Sequence, residues 1–242
     1  MAAAEDTHWW YRLLHREVAY WIAKSYSAQP CQHLDAGCGT GGLSRYLLSR
    51  FSNIEICGLE FSKLGLALAR ERHATLPKQA NLIRGSILDI PFGNDSFDVV
   101  TTMDVLYISG LYENMQQALC ECRRVLRPAG MLIMQLPALQ WLFSQHDINV
   151  HGAHRFTKAE VRSALEAAGF EVRTIYYRYP SLVLPAKLIR KASDEVGNSY
   201  VQEQDGVANR MLTACFALEC AISRKIPWPL GTSVFAVARK KA

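Results

Sequence analysis

The stretch Leu34-Asp35-Ala36-Gly37-Cys38-Gly39-Thr40-Gly41-Gly42 decides the fold of this 242-residue chain. Its first residues belong to a short predicted strand that begins at His33, and its last glycine opens residues 42–51, in which apolar residues recur at helical spacing. A strand, a turn with the pattern G-x-G-x-x-G and a helix are together typical of a nucleotide-binding βαβ unit. The glycines permit a tight turn and let a ligand approach the backbone closely.

Short apolar runs and amphipathic segments continue to alternate after this unit. This alternation predicts a mostly parallel sheet with helices on both faces. The strands are predicted at residues 33–36, 54–59, 81–84, 97–103, 131–136, 170–176 and 232–238. We therefore expect a Rossmann-like α/β fold with a seven-stranded sheet and a helical lid inserted before the last strand.

A single domain accounts for the whole chain, because a chain of this length with 50% hydrophobic residues can bury one sizeable core. We divide it into an N-terminal helical lid (1–30), a cofactor-binding core (31–176), a helical insertion (177–231) and a last strand (232–242). The aromatic first helix and the insertion are expected to cover an apolar pocket, since long insertions at a ligand-bearing edge are commonly functional. An extra packing layer or a dimer interface is the alternative.

The distribution of charge and hydropathy excludes several partners. The net charge is +5, but the basic residues are scattered, and a nucleic-acid surface would need them clustered. No apolar run approaches the roughly 18 residues that a membrane span requires. The first residues lack the basic-then-apolar order of a signal peptide. We expect a cytoplasmic monomer or homodimer that acts on a small molecule.

Two acidic residues distinguish between the cofactors that the glycine loop could hold. Glu60, at the end of the second predicted strand, is placed to bind the ribose of a nicotinamide dinucleotide or of S-adenosylmethionine. Asp35 would repel a pyrophosphate, but it would attract the ammonium and sulfonium groups of S-adenosylmethionine. The alternative for Asp35 is a turn-capping role. The residues favour S-adenosylmethionine, with an NAD(P)-dependent reductase as the alternative function.

At these positions the chain resembles the class I S-adenosylmethionine-dependent methyltransferases, and in particular a branch of small bacterial enzymes that act on small molecules. The similarity extends to Asp95-Ser96-Phe97-Asp98-Val99-Val100 and to Leu126-Arg127-Pro128-Ala129-Gly130. The resemblance implies that the loop holds the methionine moiety and that Glu60 holds the ribose. It also implies that the adenine contacts Phe61, Ser86 and Ile87, although many members carry an acid in place of Ser86. The cofactor-binding residues that we expect are Asp35, Gly37, Cys38, Gly39, Gly41, Glu60, Phe61, Ser86, Ile87 and Met103.

The methyl acceptor is expected beside the cofactor, at the carboxyl edge of the sheet. A hydroxyl acceptor needs a base within hydrogen-bond reach, and His146 and Asp147, just past the fifth strand, are the candidate catalytic residues. The alternative is that they only order the loop. The candidate acceptor-binding residues are Trp10, Tyr107, Trp141 and Tyr177.

The leading hypothesis is therefore transfer of a methyl group to an oxygen or nitrogen of a hydrophobic, natural-product-like molecule, with S-adenosylhomocysteine as the product. A non-catalytic cofactor-binding protein is the remaining alternative. The spacing of His146, His151 and His154 could also hold a metal ion. Because no supporting pattern accompanies these histidines, we expect no metal.

Overall fold

The computed structural model describes residues 2–26, 29–193 and 207–241. The helices are α1 (Ala2–Thr7), α2 (Trp9–Tyr26), α3 (Gly42–Arg50), α4 (Lys63–Ala74), α5 (Met115–Val125), α6 (Gln145–Asn149), α7 (Lys158–Ala167), α8 (Val183–Ser193) and α9 (Val207–Ser223). The strands are β1 (Cys31–Ala36), β2 (Ile54–Glu60), β3 (Asn81–Arg84), β4 (Phe97–Met103), β5 (Leu126–Pro137), β6 (Phe170–Arg178) and β7 (Ser233–Lys240). Single turns of 3-10 helix lie at Gln140–Leu142 and Pro180–Leu182.

The described strands form one seven-stranded sheet in the order β3-β2-β1-β4-β5-β7-β6. The strands from β3 to β5 pair in parallel, whereas β7 is antiparallel to both of its neighbours. Because β7 reverses direction between them, β5 and β6 run the same way. The carboxyl ends of β1, β4, β5 and β6 therefore lie at one edge, and the predicted Rossmann-like fold is confirmed.

Two apolar layers hold helices against the faces of the sheet. On one face, residues of α2 and α3 such as Val18 and Leu47 pack on Val99 and Ile133. On the other face, residues of α5 and α7 such as Leu119 pack on the opposite side of the same strands. Alternation along each strand sends successive side chains to opposite faces, so both layers draw on the same strands.

Side chains cap the first turns of two helices, α4 and α7. The Ser62 hydroxyl accepts a hydrogen bond from the Gly65 amide at 3.2 Å and caps α4. Thr157 and Glu160 form a capping box at the start of α7. Several strand boundaries differ from the predicted ones. β5 begins at Leu126 instead of residue 131, β6 continues to Arg178 instead of ending at residue 176, and β7 continues to Lys240 instead of ending at residue 238.

The N-terminal helices and α9 pack together beside the carboxyl edge of the sheet. Trp9 stacks on Phe216 of α9 with 4.6 Å between ring centroids, and Asn209 binds the backbone of Thr7 and Trp9. The predicted insertion, 177–231, contains α8 and α9, and its residues 194–206 lie outside the described residues. None of the described helices is long and apolar enough to cross a membrane.

Candidate functional site

The glycine loop between β1 and α3 forms an open cradle at the carboxyl edge of the sheet. Gly37, Gly39 and Gly41 have φ angles of +85°, +55° and +79°, a region that side chains rarely adopt. A Cβ added to Gly39 would meet no atom within 4 Å, whereas one added to Gly37 would lie 2.4 Å from Cγ2 of Val105. The space above Gly39 therefore fits a ligand that touches the backbone, as S-adenosylmethionine bound to this loop would do.

Asp35 lies at the end of β1 beneath this loop. It is 3% exposed, and its carboxylate accepts hydrogen bonds from Ser44 at 2.9 Å and Thr101 at 3.0 Å. Burial raises its pKa to about 6, although the two hydroxyl groups oppose this shift. Such a carboxylate is costly to keep ionised without a cation nearby, and the ammonium group of a methionine moiety would supply one.

Glu60 joins the end of β2 to the same loop. One carboxylate oxygen accepts a hydrogen bond from the Gly39 amide at 2.8 Å, and the other accepts from the Ser62 amide at 2.7 Å. The next residue, Phe61, is 70% exposed, and Arg84 lies over its ring. A carboxylate beside an exposed aromatic ring suits a ribose with its attached base, and these two roles stay predictions.

The remaining predicted cofactor residues contribute in different ways. Cys38 is 8% exposed and packs among apolar side chains of α4 and β3, so only its backbone is available to a ligand. The Ser86 hydroxyl accepts a hydrogen bond from the Leu88 amide at 3.1 Å, and Ile87 is buried in the core. Met103 is partly buried at the end of β4.

Helix α1 lies against the glycine loop. Glu5 accepts hydrogen bonds from the Thr40 hydroxyl at 2.6 Å and from Arg72 at 2.7 Å. Its charge also raises the pKa of Asp35, as does that of Glu60. Three carboxylates thus lie around the loop, of which Glu5 is paired with Arg72, whereas Asp35 and Glu60, within the described part of the chain, accept hydrogen bonds only from neutral groups. The two carboxylates without a cation favour a cationic ligand over an anionic one.

The predicted acceptor-binding aromatic residues lie in separate places. The Trp10 ring packs on Tyr179 with 4.7 Å between centroids, at the junction of α2 and the end of β6. Tyr107 is partly buried beyond β4, and burial, followed by the charges of Asp104 and Asp147, raises its pKa. Trp141 is 49% exposed, with Lys187 of α8 over its ring.

Tyr177 lies in the core on the other face of the sheet. It is 4% exposed, its hydroxyl accepts a hydrogen bond from the Lys158 amide at 3.3 Å, and Lys158 also lies over its ring. Strand alternation sends Tyr176 and Arg178 to the α2 face and Tyr177 to the α7 face. The expectation that Tyr177 and Trp10 line one pocket is therefore wrong. Tyr179 contacts Trp10 instead.

The predicted catalytic pair lies on α6. Asp147 is 2% exposed, and it completes a capping box with Ser144 while forming a 2.8 Å ion pair with Arg155. These contacts favour the loop-ordering alternative for Asp147. His146 is partly buried on the same helix, and its role as a base stays a prediction. His154 binds Glu160 and stacks on Tyr112, and no group of metal-ligating side chains is found within the described ranges.

The structure brings together three polar residues that the sequence analysis did not select. Arg178 at the end of β6 is fully buried and donates a hydrogen bond to Oε1 of Gln135 on β5. The Gln135 amide in turn donates to Oδ2 of Asp104, just after β4, at 2.9 Å. Arg178 and Gln135 are polar residues within predicted or observed strands, and this was the available signal in the sequence. Because the three residues are far apart in sequence, it did not show that they meet.

Comparison with known proteins places this site in a wider group. A protein-family model described as a methyltransferase domain matches residues 34–134, which include the glycine loop, Glu60 and β4. A phthiotriol/phenolphthiotriol dimycocerosates methyltransferase of Mycobacterium ulcerans is 28% identical over 197 residues, which cover 79% of this chain and 69% of that protein.

A ubiquinone/menaquinone biosynthesis C-methyltransferase of Paracoccus denitrificans is 33% identical over 129 residues, or 49% of this chain and 50% of that protein. Further mycobacterial relatives are matched over about a third of their own length, 35%. Among solved structures, Haemonchus contortus phosphoethanolamine N-methyltransferase 2 in complex with S-adenosyl-L-methionine has a TM-score of 0.61 and 17% identity, covering 94% of this chain and 52% of that one.

Proposed function

We propose that this chain is a class I S-adenosylmethionine-dependent methyltransferase, as the match to the methyltransferase family model and its methyltransferase relatives support, and that it methylates an oxygen or nitrogen of a hydrophobic small molecule. S-adenosylmethionine supplies an electrophilic methyl group on a sulfonium, whose sulfur leaves as a neutral thioether. The protein therefore has to bind, orient and desolvate the two reactants. The proposed products are the methylated acceptor and S-adenosylhomocysteine.

The observation that carries this proposal is the acidic, open cradle around Gly39. Asp35 accepts a hydrogen bond from Ser44 at the start of α3, and Glu5 accepts one from Thr40 of the loop, so both carboxylates would attract the ammonium and sulfonium of the cofactor. Glu60 would exchange its hydrogen bond from Gly39 for the ribose hydroxyls. Phe61, Ser86 and Ile87 would line the adenine. A nicotinamide diphosphate would face repulsion from the same carboxylates, so a reductase is disfavoured.

The proposed acceptor pocket lies between the carboxyl edge of the sheet and the helices that cover it. Trp10 of α2 and Tyr107 after β4 would contact the acceptor, and Trp141 would line the entrance near α8. We assign residues 1–30 and the described part of 177–231 as its cover, because α2 and α9 pack together there. Aromatic walls suit a hydrophobic acceptor, and this is compatible with a role in natural-product or lipid metabolism.

Calorimetric titration with S-adenosylhomocysteine and, separately, with NADH tests the proposal. We expect micromolar binding of S-adenosylhomocysteine and none of NADH. Binding of NADH alone would refute the cofactor assignment and every residue role derived from it. Binding of S-adenosylhomocysteine without methyl transfer to any hydrophobic acceptor would favour the non-catalytic alternative.

A further inference from the structure

From the hydrogen-bonded chain Arg178–Gln135–Asp104, we infer that Asp104 is the catalytic base and that the methyl acceptor is a hydroxyl group. The inference rests on the proposed function and specifies its acceptor chemistry. Gln135 and Arg178 act through Asp104 and are therefore positioning residues. The three residues come from the ends of β4, β5 and β6, which meet at the edge of the sheet that carries the glycine loop.

The location of Asp104 places it beside the cofactor cradle. Its neighbour Val105 packs against Gly37, the first glycine of the loop. The two are so close that a Cβ added to Gly37 would collide with the Val105 side chain. Asp104 itself has a φ of +53°, and its amide donates to the Gln135 carbonyl at 2.9 Å. Aspartate tolerates this left-handed conformation better than most residues. Asp104 directly follows the last residue of β4, and its carboxylate meets the Gln135 side chain there.

The orientation of the Gln135 amide determines what Asp104 can do. The Gln135 oxygen accepts from Arg178, so its nitrogen must face Asp104 and donate to Oδ2. This amide stabilises Asp104 as an acceptor of hydrogen bonds, that is, in its ionised form. The described residues provide no hydrogen-bond partner for Oδ1, and Asp104 is only partly buried. Oδ1 is therefore available to accept a proton from a bound molecule.

The charges around Asp104 favour a hydroxyl over an ammonium group. Arg178 and Arg155 both lower its pKa, so two buried cations already face the carboxylate. A cationic acceptor would add a third positive charge close to them in a desolvated pocket. A neutral hydroxyl adds no charge, and its oxygen gains negative character during the reaction in a field that stabilises it.

The proposed step conserves atoms and charge. The acceptor oxygen forms a bond to the methyl carbon while the carbon–sulfur bond breaks. The electron pair of the carbon–sulfur bond goes to sulfur. The hydroxyl proton passes to Oδ1 of Asp104 and then to water. The products are a methyl ether, S-adenosylhomocysteine and one proton, so no further reactant is needed.

The acidity of Asp104 suits this role. Burial raises its pKa to about 6, which keeps it ionised at neutral pH yet more basic than an exposed carboxylate. The titratable and charged groups that face it are Tyr11 of α2, Tyr107 beyond β4, Arg178 of β6 and Arg155 before α7. Burial raises the pKa of Tyr11 to about 12, with Glu5 and Asp104 adding to the shift. Tyr11 therefore stays neutral over the pH range in which Asp104 titrates.

The test compares Asp104→Asn with Glu166→Gln, a matched carboxyl-to-amide change on the exposed surface of α7. Asparagine also tolerates the left-handed backbone, so the fold should persist. The probes are 4-pentylphenol and 4-pentylbenzylamine, which differ in the reacting group. Binding of each to the S-adenosylhomocysteine complex is measured by calorimetry, and methyl transfer from S-adenosylmethionine by mass spectrometry.

We expect the wild-type protein and Glu166→Gln to bind and methylate the phenol. In Asp104→Asn the rate should fall about 100-fold or more, while affinity for S-adenosylhomocysteine changes less than about threefold. In the wild type, phenol affinity should rise as the pH increases through about 6, and Asp104→Asn should lose this dependence. Gln135→Met should move the acidic limb of the pH–rate profile to higher pH, because the hydrogen bond that lowers the Asp104 pKa is gone.

Three results would overturn the inference. Preference for the amine, or binding of neither probe by the wild type, would refute the hydroxyl assignment. An undiminished rate in Asp104→Asn would refute its role as the base. If S-adenosylhomocysteine itself failed to bind the wild type, the proposed function would fall as well, so the two failures are distinguishable.

Discussion

Glu5 of α1 accepts a hydrogen bond from Thr40 of the glycine loop, with 2.6 Å between the two oxygens. The same carboxylate pairs with Arg72 of α4, and both side chains are 12% exposed. This contact joins the first helix to the loop that would hold the cofactor. It follows that a cofactor entering or leaving the cradle has to displace α1 or pass beside it.

Replacement of Glu5 by alanine should therefore speed cofactor exchange. Loss of the partly buried ion pair and hydrogen bond is expected to cost about 1 kcal/mol, or about a fivefold faster dissociation of S-adenosylhomocysteine. Stopped-flow tryptophan fluorescence measures this rate, since Trp9 and Trp10 follow on the adjoining helix. Glu55→Gln, an exposed change on β2, serves as the control. An unchanged rate would show that α1 does not limit exchange.

Asp35→Asn should weaken cofactor binding while leaving the loop in place. Loss of the charged interaction with the ammonium end is expected to cost about 1.5–3 kcal/mol of binding free energy. In the wild type, affinity should decline as the pH falls through about 6, where Asp35 becomes protonated. Calorimetry with S-adenosylmethionine on both sides of that pH measures the effect. Equal affinity for the two proteins would defeat this assignment of Asp35.

The same substitution should stabilise the ligand-free protein. The folded-state pKa of Asp35 is raised from 3.8 to about 6, so the folded state binds protons more tightly than the unfolded state. Such a group contributes stability at low pH and loses it as the pH rises through this window. At neutral pH, Asp35→Asn should therefore raise the free energy of unfolding by on the order of 2 kcal/mol. Urea unfolding measures it, and a destabilised variant would contradict the prediction.

Two glycines of the loop should respond differently to alanine. Gly37→Ala would bring a Cβ to 2.4 Å from Val105 and should destabilise the fold by about 2 kcal/mol or more. Gly39→Ala meets open space, so it should cost only about 1–2 kcal/mol of backbone strain yet abolish cofactor binding. Thermal unfolding and calorimetry separate these effects. Retained binding in Gly39→Ala would show that the cofactor lies elsewhere.

His146 and Asp147 give opposite expectations. Asp147→Ala leaves Arg155, 5% exposed, without its ion-pair partner, and should cost about 3 kcal/mol of stability. His146→Ala should alter methyl transfer to 4-pentylphenol by less than about threefold if Asp104 is the base. A loss of about 100-fold, with unchanged cofactor affinity, would return that role to His146. Matched kinetics and urea unfolding of both variants decide between the alternatives.

The contact between α2 and the C-terminal side of α9 depends on one buried acid. Glu17 is 1% exposed, and it binds Arg224 at 2.8 Å and the Tyr176 hydroxyl at 2.6 Å. Arg224→Ala should destabilise the protein by about 3 kcal/mol, because it leaves a buried carboxylate without its cation. Arg162→Ala, which removes an exposed pair on α7, should change stability by less than about 0.5 kcal/mol. Equal unfolding midpoints would contradict this difference.

Most of the fold could be predicted from local patterns. The glycine loop, the capping serine at residue 62 and the capping box at Thr157 each depend on neighbours within a few residues. The position of β7 between β5 and β6 does not depend on such neighbours, because the eight residues of this strand carry no sign of its direction or of the strands that it pairs with. The seven strands were therefore predictable, whereas the order of the last two was not.

The site was predictable to the extent that it depends on one motif. Asp35, Glu60 and the glycines belong to one βαβ unit, and they lie together in the structure. Asp104, Gln135 and Arg178 come from three strands and meet only after the sheet has formed. Tyr177 was misplaced because the predicted strand ended at residue 176, which put Tyr177 in the connection beyond the sheet. β6 runs to Arg178, so Tyr177 lies within the strand and alternation sends it to the α7 face.

The insertion of β7 between β5 and β6 has a consequence for how the protein is made. Arg178 reaches Gln135 across Phe235 of β7, whose ring lies 5.7 Å from the guanidinium carbon. Because β7 follows both β5 and β6 in the sequence, a ribosome translates it after the two strands that carry these partners. During synthesis the residues of the glycine loop are therefore complete well before β7 can bring Arg178 and Gln135 together.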